Sequence, residues 1–340
     1  MTGHVVEGGG ERRATIRDVA SLASVSHQTV SRVINGHPSV APLTRARVQQ
    51  VIAELGYRPN LAARQLRNGR SGLIALMVPD LREPYFAEFA SRFVARAQRR
   101  GLTVLIAQTN GDHAAERDMM SGAGFPALDG IVLSPLQLTV EDLAERGATP
   151  PLILIGEQAE ALVGPGVHHV GIDNVSAAAA ATAHLIAEGR HRIAAVGVQE
   201  SGPSATSRLR FAGYREALAA AGLPIDPALF ATVEHFNRAE GSRAVERLIQ
   251  QDVPFDALFC FSDSLALGAL YTLGTHGIAV PEQVGVMGFD GIEEGRFHIP
   301  AFSTVNPGVE EAADTILDIL GSPTIPPAAH HSVPYDVIAR

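Results

Sequence analysis

The chain has 340 residues, 46% hydrophobic and 19% charged, enough to bury the cores of two or three domains, and no apolar run approaches the roughly 18 residues that suggest a membrane span. Its net charge of −9 is unevenly placed: residues 1–70 carry ten arginines against four acids, net +6, which leaves −15 on residues 71–340. A basic head on an acidic body suits a protein that presents one end to a polyanion. All 27 basic Lys/Arg positions are arginine, which excludes a Walker-type phosphate lysine and a Schiff-base lysine. The lone Cys260 lies in the apolar run 258–261, where it forms no intrachain disulfide and reads as an inert core residue.

Residues 1–13 are Gly-rich and aperiodic, and read as a disordered arm with no segment that could serve as an export signal, so a soluble cytoplasmic chain is expected. Thr15 and Asp18 form a Thr-x-x-Asp capping box that opens a first helix ending near Ala23, and Ser26 caps a second. Val19, Ala20, Ala23, Val25, Val30, Val33 and Ile34 supply the contacts between the two helices. The small alanines let the helices approach closely, so the stretch reads as a helix-turn-helix. Its other face carries His27, Gln28, Thr29, Ser31, Arg32 and Asn35, side chains that bond base edges or phosphates, and none of them is acidic. Pro42 opens a third helix marked by Val48, Val51, Ile52 and Leu55, and Gly56 ends it. Next, Asn60 caps a short segment to Arg67 that is marginal alone in water and carries Leu66 beside Arg64 and Arg67, an odd pattern for a plain tether.

From residue 73 the pattern becomes repeated β-α. Strands are expected at 73–78, 103–107, 130–133, 152–155 and 170–172, with helices at 85–100, 114–122 and 140–146. A second series has strands at 193–198, 229–233, 257–261 and 284–289, with helices at 177–188, 207–221, 238–251 and 264–276. Two α/β lobes with parallel sheets follow from this alternation. Residues 321–340 are Pro-rich and then strand-like.

The words Thr15-Ile16, Asp18-Val19-Ala20, Ala23, Val25-Ser26 and Thr29-Val30-Ser31-Arg32-Val33, closing on Asn35, closely resemble the DNA-binding signature of the LacI/GalR family of repressors. Val78-Pro79-Asp80, Val170-Gly171-Ile172-Asp173-Asn174, Ser262-Asp263-Ser264 and Gly288-Phe289-Asp290 are similar to that family's effector domain, itself like periplasmic sugar-binding proteins, and the resemblance runs from residue 15 to about 320. It implies a helix-turn-helix headpiece at 14–58, a hinge helix and linker at 59–71, and an effector-binding and dimerisation domain at 72–340. The N-lobe would span about 72–173 and 304–331, and the C-lobe about 174–303 and 332–340. His27 and Gln28 match the family's two-residue specificity module, with Arg32 suited to a guanine edge. Thr15, Ser26, Thr29, Ser31 and Asn35 would bind phosphates, and Asn60, Ala63, Leu66 and Arg67 would enter the minor groove, Leu66 as the wedge. The chain has no heptad tail, which favours a homodimer over a zippered tetramer.

In open parallel sheets ligands sit beyond the carboxyl ends of strands. Those ends carry Asp80, Tyr85, Phe86, Glu157, Phe236, Ser262 and Asp290, with Arg210 on a following helix, and in the family these match positions lining the interlobe cleft. Aromatic rings cover sugar C–H faces, Asp290 accepts from hydroxyls, and Arg210 forks onto an oxygen pair. Glu83, Gly156-Glu157 and Ser262 replace residues common in relatives, and the added acids argue against a phosphorylated effector. The expected partners are therefore a pseudo-palindromic double-stranded DNA operator, a sugar or polyol effector and a second copy of the chain, with no membrane. Neither G-x-S-x-G nor H-E-x-x-H occurs, and no catalytic residue, cofactor or metal is expected. The adjacent pairs His168-His169 and His330-His331 face opposite ways on strands, are poor joint metal ligands, and read as surface histidines. The function expected is a ligand-controlled repressor. The alternatives are an activator, a regulator without small-molecule control, or a sugar-binding protein without regulatory function; the last would lack residues 15–67.

Overall fold

The computed structural model describes residues 14–34, 37–57, 70–147, 150–156, 162–199, 205–322, 324 and 326–340. The chain divides into two compact units, Met1–Ser71 and Gly72–Arg340.

In the first unit, α1 (Ile16–Leu22), α2 (His27–Ile34) and α3 (Pro42–Glu54) surround a core of Val19, Ala20, Ala23, Val30, Val33, Val48 and Val51. Seven small side chains bury little area, so the caps matter. The Thr15 hydroxyl accepts from the Asp18 amide at 3.3 Å while the Asp18 carboxylate accepts from the Thr15 amide at 2.8 Å. Such a cap contributes about 1 kcal/mol. Ser24 turns the chain with φ of 49°, which lets the Val25 amide reach the Ala20 carbonyl at 3.0 Å. That turn sets α2 against α1.

The second unit holds two lobes. In the N-lobe β1 (Leu73–Val78), β2 (Thr103–Gln108), β3 (Gly130–Leu133), β4 (Leu152–Ile155), β5 (Val167–Gly171) and β11 (His330–Ser332) form a parallel sheet in the order β11-β5-β4-β3-β1-β2. One face is covered by α4 (Pro84–Arg99) and α12 (Val309–Gly321), and α5 (His113–Ser121) and α6 (Val140–Ala144) also belong to this lobe. In the C-lobe β6 (Ile193–Val198), β7 (Phe230–Thr232), β8 (Ala257–Cys260) and β9 (Gly285–Met287) form a parallel sheet in the order β7-β6-β8-β9. It packs with α7 (Asn174–Ala187), α8 (Ala205–Ala220), α9 (Arg238–Gln250) and α10 (Asp263–Thr275), and a short α11 (Glu294–Phe297) follows β9. β10 (Thr304–Asn306) and β12 (Asp336–Ile338) pair antiparallel. The chain passes from the N-lobe sheet to α7 at residues 172–173, from β10 to α12 at 307–308, and from β11 to β12 at 333–335.

Two readings of the sequence need correction. The strand expected at 170–172 begins at Val167, because the two histidines that seemed to break the apolar run lie inside the sheet. For the same reason His168 and His169 are not surface residues: β11 adds an edge strand outside β5, leaving them 0% and 2% exposed, while His330 on β11 is exposed. They do face opposite ways. No helix among the described residues is long and apolar enough to cross a membrane, and Cys260 is buried, with burial raising its thiol pKa.

Candidate functional site

The headpiece presents its polar face by the spacing of α2. Val30 and Val33 are buried, so positions 27, 28 and 32 point away from the core, and His27, Gln28 and Arg32 are exposed. Ser26 caps the helix, its hydroxyl accepting from the Thr29 amide at 3.1 Å, and lies 3.0 Å from the Thr29 hydroxyl. Thr29 and Ser31 are half-buried beside the same face, and Thr15 is exposed at the start of α1. The first turn of α2 holds no acid and Arg32 lies in its last turn, so this surface has the chemistry of a polyanion contact. Asn35, Asn60, Ala63, Leu66 and Arg67 lie outside the described residues.

On the C-lobe side, the residues expected to line the cleft include Arg210. Its guanidinium, 5% exposed, donates from Nε to the Asn174 side-chain oxygen at 3.0 Å and from Nη1 to the Phe261 carbonyl, lies 3.5 Å from Asp290 Oδ1, and sits 3.5 Å above the Phe289 ring. Arg210 is thus a framework group as well as a candidate ligand contact, and forking onto a ligand oxygen pair means exchanging some of these bonds. Asp290 has φ of 120°, a backbone region costly for a residue with Cβ. Its amide is held by the Val305 carbonyl at 2.9 Å, and Ile292 two residues on donates to buried Asp263 at 2.9 Å. Asp263 also accepts from the Thr304 hydroxyl at 2.7 Å; burial, then the negative charge of Asp290, pushes its carboxyl well above the usual range. Ser262 spends its hydroxyl capping α10 through the Leu265 amide at 3.2 Å, and Phe236 packs edge-on to Phe261.

The N-lobe half is looser. Asp80 is held by Arg82 at 2.8 Å, and that hydrogen bond lowers its pKa. Tyr85 and Phe86 are half-buried on α4, their rings 5.2 Å apart, and both lean on the N-lobe core. Hydrogen bonds join the lobes here: the Ser264 hydroxyl donates to Glu83 at 2.8 Å, and the Glu293 amide donates to Glu88 at 2.7 Å. Burial raises the pKa of Glu83. Glu157 lies outside the described residues.

Residues 15–60 match the family described as bacterial regulatory proteins, lacI family, and residues 182–340 match a periplasmic binding protein-like domain. The HTH-type transcriptional repressor CytR of Escherichia coli (strain K12) is 33% identical over 312 residues, covering 91% of this chain and 90% of that protein. The chain belongs to the LacI family. Among solved structures, the transcriptional regulator CelR–cellobiose complex is 29% identical with a TM-score of 0.66, covering 96% of this chain and 99% of that one. The lac repressor dimer bound to operator and an anti-inducer has a TM-score of 0.78 at 22% identity, covering 97% and 98%, and speaks for the fold.

As a LacI-family member this chain is a transcriptional regulator. Sequence reasoning did not single out Asn174, Asp263 and Ser264, which bond Arg210, Thr304 and Glu83, although all three stand in the quoted family words. Their signal is positional: each is a polar residue at the carboxyl end of a buried strand, where a side chain is held but not consumed by the sheet. It also left the region of α12 unassigned, although Ala312, Ala313, Ile316 and Leu320 mark one buried face at helical spacing.

Proposed function

We propose that this LacI-family regulator is a homodimeric repressor that reads a pseudo-palindromic operator through α2 and responds to a sugar or polyol held between its lobes. The observation that carries the DNA reading is the exposed, acid-free set His27, Gln28 and Arg32 above the buried Val30 and Val33. Asn60, Ala63, Leu66 and Arg67 complete it as a minor-groove hinge, with Thr15, Ser26, Thr29, Ser31 and Asn35 on phosphates. The cleft reading draws support from buried Arg210, which stacks on Phe289 3.5 Å from half-buried Asp290, and from CelR, whose complex holds cellobiose. Asp80, Tyr85, Phe86, Glu157 and Ser262 are proposed to line the same cleft. Exposed Ile106 on the edge strand β2 favours a second copy as cover, since open edges invite pairing.

The test is operator binding. Sites selected by the full chain from randomised DNA would be titrated by fluorescence anisotropy over about 50–200 mM salt, where six to ten phosphate contacts weaken binding by about 10³–10⁵. Exchanging His27 and Gln28 for another pair should change the selected half-site, while Ser31→Ala should weaken all sites alike. A flat salt dependence or an unchanged half-site would refute the reading.

A further inference from the structure

We propose that His168, His169, His330 and His331 form a proton-operated catch between β5 and β11, closed at neutral pH and released by acid. The four come together as two cross-strand pairs, one on each face of the sheet. His169 Nδ1 lies 2.6 Å from His330 Nδ1 with rings stacked at 20°, and His168 Nδ1 lies 3.2 Å from His331 Nε2.

The tautomer of His169 is fixed by its second nitrogen, which donates to the Gly156 carbonyl at 2.8 Å. A neutral His169 therefore presents a lone pair at Nδ1, and the contact to His330 holds when His330 Nδ1 carries the proton. A first extra proton fits on the other nitrogen of exposed His330 and strengthens the bond. A second must go to His169 Nδ1, where two N–H groups and two positive charges would face each other at contact distance. The His168–His331 pair obeys the same count. Each pair accommodates one extra proton, and four released imidazoles accept four.

Among the described residues, the groups facing the pairs are the histidines themselves and Asp173, whose carboxylate already accepts from the Ser176 amide and hydroxyl. β4 and residues 326–329 contribute no titratable side chain. On the α12 side, Glu310, Asp314 and Asp318 are held by Arg96 and Arg100, and Glu311 lies beside Gly308. Burial, then the charge of His331, lowers the pKa of His168 against the opposing Pro326 carbonyl; burial, then His330, lowers that of His331. For His168 and His331, lowered values in the closed form mean that the released form binds more protons, and the 2.6 Å contact of the other pair bars a second proton there, so the catch weakens as pH falls below about 6.5.

The position gives the catch an effect. β5 and β11 feed the interlobe passages at 172–173 and 333–335, so releasing β11 frees one of the three strands that tie the lobes. This inference is independent of the effector.

The test is amide hydrogen exchange of the full chain at pH 7 and pH 5, corrected for intrinsic rates, read at His169 and Val333, which donate to Ala329 at 3.1 Å and Gly171 at 2.9 Å. The opening constant at these amides should rise at least about tenfold, the change one excess proton gives per pH unit. The double variant His330→Ala/His331→Ala, on the edge strand, should flatten the dependence. A wild-type opening constant unchanged by pH, or a dependence retained in the double variant, overturns the catch. So does a dependence abolished by EDTA, which would indicate a held metal. Imidazole titration of the wild type by NMR stands apart from the variant's folding: four independent transitions near the ordinary histidine value would also overturn the proposal.

Discussion

The two lobes share a β-α pattern but join their helices differently. In the C-lobe, α7 meets α8 and α9 meets α10 through glycine: a Cβ on Gly213 would stand 2.1 Å from the Val175 carbonyl oxygen, and one on Gly268 would stand 1.9 Å from that of Arg238. In the N-lobe, α4 and α12 are joined at their rim by Arg96 and Arg100 alternating with Glu310, Asp314 and Asp318. Backbone contact fixes helix separation to a fraction of an ångström, whereas long charged side chains tolerate adjustment. The halves of the cleft inherit the contrast: Arg210 is locked from several sides, and Asp80 leans on a surface arginine that is 88% exposed. A rigid half facing an adjustable one suits a device in which ligand shifts the balance between lobe arrangements.

The largest effect should come from breaking the rigid half. Gly268→Ala forces backbone apart, because the clashing atom is a carbonyl oxygen, and should cost about 3 kcal/mol or more. Urea unfolding should show the loss, with hydrogen exchange placing it in C-lobe helices first. A cost near zero would mean that α9 and α10 can slide, and the contrast between lobes would fail.

Next comes Arg210→Ala. It removes the buried donor to Asn174 and the Phe261 carbonyl and the charge beside Asp290, and should destabilise the chain by about 3 kcal/mol. Asp290→Asn keeps the shape and should cost less. Both should abolish the response to ligand while unliganded operator affinity stays near wild type, since the headpiece is untouched. A wild-type response in both would place the effector elsewhere.

How much of this was legible follows from what periodicity records. The strands at 73–78, 130–133, 152–155 and 193–198 were read to the residue because each is a continuous apolar run closed by a turn. β5 was misplaced because two histidines look polar in sequence, and only the cross-strand partner on β11 makes them a buried pair. Asp290 could be nominated from its word and Arg210 from its place on the helix after a strand end, yet the bonds that hold Arg210 come from Asn174 and Phe261, distant in sequence, and local pattern carries no such information. The Glu83–Ser264 contact spans 181 residues and was equally invisible.

That contact supplies the third prediction, which concerns pH. Burial raises the pKa of Glu83 where the lobes meet, so its neutral form is favoured when they are closed. For a raised value the stabilising contribution is present at low pH and is lost as pH climbs through the raised value. The Glu83 contact should therefore favour closure on mild acidification, and Glu83→Gln, which stays neutral, should remove that contribution. Scattering or paired spin labels across the lobes would report it. A variant with the wild-type pH profile would show that Glu83 is solvated when the lobes meet.

The smallest effect should fall on the adjustable half. Replacing Arg96 and Arg100 together by glutamine removes the charged rim between α4 and α12 but leaves Phe89, Phe93, Ile316 and Leu317 packed beneath it. Pairs with such exposed carboxylates contribute about 0.2–1 kcal/mol each, so the double variant should lose about 1 kcal/mol at low ionic strength. Near 1 M salt, where charges are screened beyond about 3 Å, most of that loss should disappear because the wild type has already surrendered it. Gly268→Ala, a steric change, should cost the same at both salt levels. Urea midpoints for the two variants in low and high salt test the contrast directly. If the arginine variant lost as much in 1 M salt as in dilute buffer, its side-chain stems would be acting by packing, and both lobes would be rigid for the same reason.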